Sequence, residues 1–250
     1  MTAISAIGFD LFDTLITVRP IDPDAALDRL MECVAAEGFS VPRERFGTEY
    51  RDAVRRRVDA SLVDGRETHN RYWIGDALAG CGVNVSPHDP RVEGVVNRYF
   101  TTFDPYIELL PGTRELLASL RGRYRIGLLS NFTDGPAGRA ILERFELMPF
   151  FDAVLISGEV GYRKPHPTVF ERLLAELEVA PEELLFIGDN VSDDIAGARK
   201  VGIRPVWTSY VFQLKGRFSR RLSDEAPARP PDGTLEIRNW DDLRALLGDG

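Results

Sequence analysis

Helix-like and strand-like patterns alternate along most of this chain, from about residue 106 to its end. The runs that predict buried strands cover residues 7–9, 124–130, 153–157, 184–187, 205–207 and 235–237. Between them, apolar residues recur at helical spacing, as in Leu116, Leu117 and Leu120. Elements of this length in this order form right-handed βαβ units, so we expect one parallel sheet with helices packed against it.

The segment before residue 106 has a different pattern. Residues 18–105 contain few strand-like runs and many helical spacings, such as Leu27, Leu30 and Val34. Helices inserted here would cover the carboxyl edge of the sheet, where open α/β sheets bind ligands. We therefore predict an α/β protein with a Rossmann-like parallel sheet core (residues 1–17 and 106–250) and a helical cap (residues 18–105), joined by hinges near residues 17–22 and 103–106. Residues 215–233, rich in arginine and proline, are predicted to form an exposed loop.

Composition and charge exclude several classes of partner. The 44% hydrophobic content is ample for a sizeable core, and the net charge of −8 argues against nucleic acid or an anionic membrane as the main partner. Cys33 and Cys81 are far apart, which suits a reducing cytosol better than a disulfide scaffold. We find no basic leader-like start and no apolar run of roughly 18 residues, so we expect a cytoplasmic protein without a membrane span. The oligomeric state stays open.

Polar and charged residues follow four of the predicted strands at the point where each strand ends. They are Asp10, Ser130, Lys164 (in the loop after the third strand) and Asp189, with Asp193 and Asp194 shortly after it. Because parallel strands end at the same edge of a sheet, we expect these groups to converge. A lysine, a hydroxyl and several carboxylates in one crevice form a site suited to phosphoryl transfer.

Each group suits one part in that chemistry. Asp10 would be the nucleophile, and Asp10 with Asp189 would hold Mg²⁺ through carboxylate oxygens. Lys164 would neutralise the charge of the aspartate and phosphate, and Thr14 or Ser130 would donate hydrogen bonds to phosphate oxygens. The predicted substrate is a small molecule, a phosphorylated metabolite.

Four short motifs occur in order at these strand ends. They are Asp10-Leu11-Phe12-Asp13-Thr14-Leu15, Leu128-Leu129-Ser130-Asn131, Lys164-Pro165-His166-Pro167, and Gly188-Asp189 followed by Asp194-Ile195-Ala196-Gly197-Ala198. Together they resemble the motifs of the haloacid dehalogenase superfamily of hydrolases. The resemblance covers the whole predicted core, and the helical insertion lies where one group of that family carries its cap.

The resemblance implies a role for each matching residue. The implied catalytic residues are Asp10 as nucleophile, Lys164 as the basic residue and Ser130 as the phosphate-binding hydroxyl. The implied substrate-binding residues are Thr14, Ser130, Asn131 and Lys164. The implied metal ligands are Asp10, the backbone carbonyl of Phe12, Asp189 and a final acid. The sequence Asp-Ile-Ala-Gly-Ala makes Asp194 the better match to that final acid, with Asp193 a close rival.

Phe12 departs from the pattern of most phosphatases in the family. They have a second aspartate two residues after the nucleophile, which protonates the leaving group and then activates water. Phenylalanine cannot transfer a proton, and general acid–base catalysis is worth roughly 10²–10⁴-fold. An alkyl phosphate should suffer this loss in full, whereas an acyl phosphate expels a carboxylate and hardly needs an acid. Asp13 resembles a turn residue more than a displaced acid.

Two alternatives to a Mg²⁺-dependent phosphatase stay open. The 2-haloacid dehalogenases resemble this chain in an aromatic residue at the Phe12 position, a Ser-Asn pair like Ser130-Asn131 and an asparagine like Asn190. They attack carbon without a metal, however, and have serine where this chain has Asp189. We favour the metal site because adjacent acids left without a cation would be costly. The second alternative is a non-catalytic relative that binds a phosphometabolite or a protein.

Overall fold

Six parallel strands form the central sheet of the part of the chain that the structure, a computed structural model, describes: residues 3–214 and 229–248. The strands are β1 (Ala6–Phe9), β2 (Ile16–Val18), β3 (Ile107–Leu109), β4 (Arg125–Ser130), β5 (Ala153–Ile156), β6 (Leu184–Gly188), β7 (Arg204–Thr208) and β8 (Leu235–Ile237). The sheet order is β5-β4-β1-β6-β7-β8, while β2 and β3 form a separate antiparallel ribbon. The predicted α/β fold with a Rossmann-like parallel sheet is confirmed.

Helices precede and follow the strands of this sheet. They are α1 (Pro23–Ala36), α2 (Arg43–Asp64), α3 (Asn70–Gly80), α4 (Pro90–Thr101), α5 (Thr113–Leu120), α6 (Gly135–Arg144), α7 (Ser157–Val160), α8 (Pro167–Leu177), α9 (Ala196–Lys200), α10 (Tyr210–Gln213) and α11 (Trp240–Leu246). Several begin at a side-chain cap followed by proline; at α1, Asp22 accepts from the amides of Asp24 and Ala25. None of the helices in the described ranges has the length and apolar character that a membrane span requires.

Strand β1 lies at the centre of the sheet and is buried along its whole length. It pairs with β4 on one side and β6 on the other, with Phe9 opposite both Leu128 and Ile187. Successive side chains of a strand point to opposite faces, so Ile7 and Phe9 join one apolar cluster and Ala6 joins the other. The residue after Phe9 therefore emerges in the middle of the carboxyl edge.

Helices α1 to α4 form an insertion, residues 23–101, with its own apolar cluster that includes Leu30, Phe46 and Ile74. The ribbon of β2 and β3 joins the insertion to the rest of the chain, with Thr17 opposite Glu108. Hinges were predicted near residues 17–22 and 103–106, and Thr17 instead lies in a paired strand. Each strand of the ribbon has three residues, too few for a periodic pattern to be recognised.

The loop predicted at residues 215–233 falls largely outside the described residues. Positions 215–228 belong to the part of the chain that is not described, and the segment that follows is mainly exposed up to Gly233. The chain then forms β8, where a strand was expected at residues 235–237, and α11 at the far edge of the sheet.

Candidate active site

Asp10 follows β1 directly and lies at the carboxyl edge of the sheet. Its amide donates to the carbonyl of Ile187 at 2.9 Å, which extends the pairing with β6 by one residue. The residue is 7% exposed, and both carboxylate oxygens accept hydrogen bonds. Lys164 Nζ donates to Oδ1 at 2.6 Å and Thr14 Oγ1 donates to Oδ2 at 3.1 Å. These two donors fix the orientation of the carboxylate.

The turn after Asp10 is held by its own polar groups. Asp13 has φ of 58°, in the left-handed region that Asp tolerates better than most residues. Its Oδ1 accepts from Thr17 Oγ1 at 2.6 Å, and its amide donates to the carbonyl of Ile16 at 2.6 Å. These contacts agree with the turn role predicted for Asp13.

Lys164 is the cation of the site and is 2% exposed. Its ammonium group lies 2.6 Å from Asp10 Oδ1 and 2.7 Å from Asp194 Oδ1, and it donates to the carbonyl of Leu129 at 2.9 Å. Burial alone would lower the pKa of Lys164, but the carboxylates of Asp10 and Asp194 outweigh that effect and the pKa lies above its ordinary value. Lys164 is therefore a fixed positive charge beside Asp10.

Asp194 is the final acid that joins Asp10 and Asp189. One carboxylate oxygen from each of these three residues lies within 4.8 Å of the other two. Asp194 Oδ2 also accepts from the amide of Asn190 at 2.9 Å. Burial raises the pKa of Asp194, although Lys164 opposes the rise. The donors are all carboxylate oxygens, the ligand type that Mg²⁺ prefers, so this group of side chains fits such an ion.

Asp193, the rival for this position, points elsewhere. Its Oδ2 accepts from Asn131 Nδ2 at 3.2 Å, and it is absent from the cluster of three acids in the described part of the chain.

Gly188 leaves room for Asp194, because a Cβ at Gly188 would lie 2.3 Å from the Asp194 Cγ. Trp207 Nε1 donates to the carbonyl of Asp189 at 2.8 Å and holds the backbone beside it.

Two of the predicted substrate-binding side chains are engaged with the site itself. Asn131 Oδ1 accepts from the amide of Lys164 at 2.7 Å, and its Nδ2 donates to the Lys164 carbonyl at 3.0 Å. The hydroxyl hydrogen of Thr14 is directed to Asp10. Asn131 thus contacts the backbone of Lys164 and Thr14 contacts the carboxylate of Asp10, and substrate binding by these two residues stays a prediction.

Ser130 differs from both. Its residue is 1% exposed, and its Oγ is buried without a hydrogen-bond partner in the described part of the chain. A buried hydroxyl without a partner carries a desolvation cost of about 1–3 kcal/mol, which a bound acceptor would relieve. Ser130 therefore keeps the donor capacity that the sequence assigned to it.

Phe12 presents its backbone and its ring to different surroundings. In the β-bridge between Phe12 and Ile16, the amide of Ile16 donates to the carbonyl of Leu11, and the amide of Asp13 donates to the carbonyl of Ile16. The carbonyl of Phe12 takes no part in this bridge. The half-buried ring lies 5.1 Å from that of Phe132, centroid to centroid, and Phe132 lies 5.1 Å from Phe100 of α4. An apolar contact thus runs from the Asp10 loop to the insertion.

A polar segment of the insertion also contacts the core loops, and sequence reasoning missed it. Asn70 Oδ1 accepts from Thr133 Oγ1, His69 Nε2 donates to the carbonyl of Gly158 at 2.9 Å, and Glu67 Oε2 accepts from Ser157 Oγ at 2.5 Å. Burial, with the charge of Arg71, lowers the pKa of His69. These partners lie more than 60 residues apart in the sequence, so no local pattern could have revealed them.

The described groups lie at the carboxyl edge of a parallel sheet, the place where α/β enzymes bind their substrates. A family model described as haloacid dehalogenase-like hydrolase matches residues 4–202. The chain therefore belongs to the haloacid dehalogenase-like hydrolase family.

Individual relatives agree with this assignment. The chain is similar to a ribulose-1,5-bisphosphate 5-phosphatase of Halopiger xanaduensis, at 31% identity over 81% of this chain and 83% of the relative. It is 29% identical to a glyceraldehyde 3-phosphate phosphatase of Pyrococcus furiosus, over 84% of this chain and 82% of the relative. Among solved structures, a 2-haloacid dehalogenase from Pseudomonas syringae pv. tomato shares the fold, with a TM-score of 0.68 and 24% identity over 98% of both chains.

Proposed function

We propose that this hydrolase is a Mg²⁺-dependent phosphatase that transfers the phosphoryl group of a small phosphorylated metabolite to Asp10. The observation that carries the proposal is the buried convergence of Asp10, Asp189 and Asp194 around the ammonium group of Lys164. One carboxylate would act as nucleophile, and the group as a whole offers hard oxygen ligands beside a fixed positive charge. Residues 18–105 would serve as the cap over this site.

The reaction divides into two steps at Asp10. A carboxylate oxygen of Asp10 attacks phosphorus, the bond from phosphorus to the leaving oxygen breaks, and the bonding pair departs with the leaving group. Water then attacks the phosphorus of the aspartyl phosphate and the bond from phosphorus to the Asp10 oxygen breaks. The products are the free carboxylate and dihydrogen phosphate, which keeps both protons of the water. Lys164 offsets negative charge on the transferred group, and Ser130 Oγ donates to one of its oxygens.

Asp10, Asp189 and Asp194, with the carbonyl of Phe12, would hold the Mg²⁺ ion. When bound, the ion would neutralise phosphate charge and orient the phosphoryl group toward Asp10. Asp194 would also keep Lys164 in place through the 2.7 Å ion pair.

Phe12 limits which leaving groups the site can expel. The usual acid contributes roughly 10²–10⁴-fold, or about 3–5 kcal/mol of barrier. An alkoxide leaving group needs that proton, whereas the carboxylate of an acyl phosphate, whose conjugate acid has a pKa near 4, hardly does. The proposed substrate is therefore a metabolite with an activated leaving group, unless a residue of the insertion supplies the acid.

The names of two relatives support phosphorylated small molecules as the substrate class. One acts on ribulose 1,5-bisphosphate and another on glyceraldehyde 3-phosphate. Neither name fixes the substrate of this chain, because the residues that contact the organic part of the substrate would belong to the insertion.

A panel of phosphorylated metabolites, assayed with Mg²⁺ and with EDTA, tests the proposal. We expect EDTA-sensitive phosphate release, fastest with an acyl phosphate, and complete loss of turnover in Asp10→Asn. Absence of metal-dependent turnover across a panel that includes an acyl phosphate would refute it.

A second candidate is a metal-independent 2-haloacid dehalogenase that forms an ester at Asp10. The aromatic contact between Phe12 and Phe132 favours it, since an apolar wall suits a carbon substrate. Asp189 argues against it, because it adds a further carboxylate beside Asp10 and Asp194. Chloride release from 2-chloropropionate that chelator does not affect would establish this chemistry, and no release at any pH would eliminate it for that substrate class.

A further inference from the structure

The insertion contacts the core through one buried acidic side chain, Glu67. It lies in residues 65–70, the connection between α2 and α3 together with the first residue of α3, which we name the bridging segment. The Glu67 side chain is 2% exposed, and its charge is met by hydrogen bonds rather than by a close ion pair. Among the described residues, the nearest cationic group to the Glu67 carboxylate is Arg163 Nη1, at 3.9 Å. A buried carboxylate with so distant a counter-charge costs stability, so packing alone does not account for it.

The contacts of Glu67 lead to the loop that carries Ser130. Its Oε2 accepts from Ser157 Oγ at 2.5 Å, and the same Ser157 oxygen accepts from the amide of Phe132 at 2.8 Å. Phe132 is two residues after Ser130, whose hydroxyl has no hydrogen-bond partner among the described residues. Glu67 therefore holds Ser157, and Ser157 holds the backbone beside the proposed phosphate donor.

A second set of contacts leads to the loop that carries Lys164. The amide of Glu67 donates to the carbonyl of Gly161 at 3.0 Å, and the amide of Arg163 donates to the carbonyl of Gly65 at 2.9 Å. Arg163 also faces Glu67 Oε1 and directly precedes Lys164. The bridging segment is thus hydrogen-bonded to the backbone that directly precedes Lys164.

We propose that Glu67 is a positioning residue that couples docking of the insertion on the core to the positions of Ser130 and Lys164. The Glu67 side chain holds the loop of Ser130 through Ser157, and the Glu67 backbone amide pairs with the loop of Lys164, where the Glu67 carboxylate also faces Arg163 at 3.9 Å. None of these contacts is made to Asp10, Asp189 or Asp194. When the bridging segment leaves the core, both loops lose a partner at once, whereas the acids keep theirs. The assignment of Ser130 and Lys164 to catalysis rests on the proposed function, and the coupling itself rests on the contacts.

Hydrogen exchange tests the coupling without requiring any substrate. In Glu67→Gln, which keeps the size of the side chain, we expect exchange at the amides of Phe132 and Arg163 to rise by about tenfold. The partners of these amides, Ser157 Oγ and the carbonyl of Gly65, stay in the chain but are held less firmly once the carboxylate is gone. In Ser157→Ala, the amide of Phe132 should respond more than that of Arg163, because the hydroxyl that is removed accepts from Phe132, whereas Arg163 donates to Gly65. The matched control is Asp76→Asn, which removes a carboxylate paired with Arg57 at 2.7 Å inside the insertion.

Kinetics and metal binding separate positioning from general destabilisation. We expect kcat of Glu67→Gln to fall by about tenfold or more, since small misplacements of catalytic groups are costly. The Mg²⁺ affinity should change less than about twofold, because the acids keep their contacts; a merely loosened fold would weaken the response to metal as well. Asp76→Asn should change neither quantity.

Unchanged exchange at both amides in Glu67→Gln would overturn the inference, as would an equal response in Asp76→Asn. An unchanged kcat in an active enzyme would also overturn it. A parent protein without phosphatase activity would instead defeat the proposed function, and the exchange experiment would still decide whether Glu67 couples the two loops.

Discussion

Replacement of Phe12 by aspartate would restore a proton donor at the position where the family usually has one. We expect Phe12→Asp to increase the rate on an alkyl phosphate while leaving the rate on an acyl phosphate within a few-fold of the parent. The reason is the leaving group. With the rate taken as kcat/KM, which reports formation of the aspartyl phosphate, an alkoxide gains from protonation and a carboxylate does not. The later hydrolysis of the aspartyl phosphate, which an aspartate at position 12 would also assist, is the same for both substrates. The ratio of the two rates is the quantity to measure.

The size of the expected change depends on the missing acid and on the contacts of the ring. General acid catalysis should raise the rate on the alkyl phosphate by roughly 10²–10⁴-fold. The ring of Phe12 is half-buried against Phe132, so its loss should cost about 1–3 kcal/mol of stability through lost apolar burial and the aromatic contact. Loss of folded enzyme lowers both rates equally and cancels in their ratio.

Steady-state phosphate release at a single pH near 6.5, with both substrates and saturating Mg²⁺, measures the ratio. Phe12→Asn is the control, because it has the size of aspartate and destabilises similarly without an acidic proton. A ratio that does not move in Phe12→Asp would refute the idea that the missing acid limits the parent. An equal rise in Phe12→Asn would assign the effect to space rather than to a proton.

Substitutions of Lys164, Ser130 and Gly188 test three further parts of the site. Lys164→Met leaves the carboxylates of Asp10 and Asp194 buried together; activity should vanish and urea denaturation near pH 8 should show a loss of about 3–5 kcal/mol. Because a raised carboxyl pKa favours the protonated folded state, that loss should shrink as the pH falls toward 5. Ser130→Ala removes a hydroxyl that has no hydrogen-bond partner among the described residues, so its melting temperature should stay the same or rise, while kcat/KM falls about 10–100-fold, in line with a charged hydrogen bond of roughly 1.5–3 kcal/mol. Gly188→Ala places a methyl group 2.3 Å from the Asp194 Cγ, so calorimetry should show Mg²⁺ binding at least about tenfold weaker, and unchanged binding would mean that Asp194 does not serve the ion.

Those parts of the site that depend on sheet topology could be predicted from the sequence. Asp10 and Asp189 lie at the ends of β1 and β6, which are neighbours, and the register of a parallel pair brings the residues at the two strand ends side by side. An apolar run that ends in an acid was therefore enough to place both carboxylates at one edge.

The preference for Asp194 over Asp193 came from the match to a motif, and the local geometry behind it is not recorded in the sequence. Val191–Ile195 form one turn of π-helix, in which the amide of Ile195 donates to the carbonyl of Asn190 at 3.2 Å. This wider turn sets which of the two adjacent side chains faces Lys164. An α-helical turn would have a different rotational phase, and no residue pattern distinguishes the two.

The bridging segment could not be predicted for a different reason. Its contacts join a loop of the insertion to loops about 60 to 90 residues later, and each depends on the exact path of two irregular segments. Polar residues such as Glu67 are ordinary on exposed loops, so their residue type carried no signal. Burial, which only the folded chain provides, distinguishes Glu67 from the many exposed acids of the insertion.

The acids of the core and the residues of the bridging segment bear on different properties of the enzyme. Asp10 and Asp194 are also held by Thr14 and by the amide of Asn190, within the core, so the arrangement of the acids should survive changes in the insertion. The loops of Ser130 and Lys164 are also held from the insertion through Glu67, so changes there reach the reacting groups as well as the substrate. A substitution in the insertion that disturbs Glu67 would then alter kcat, whereas a substitution in the insertion that leaves Glu67 in place would act on KM alone. Activity toward new substrates should therefore depend on preserving residues 65–70 while the rest of the insertion varies.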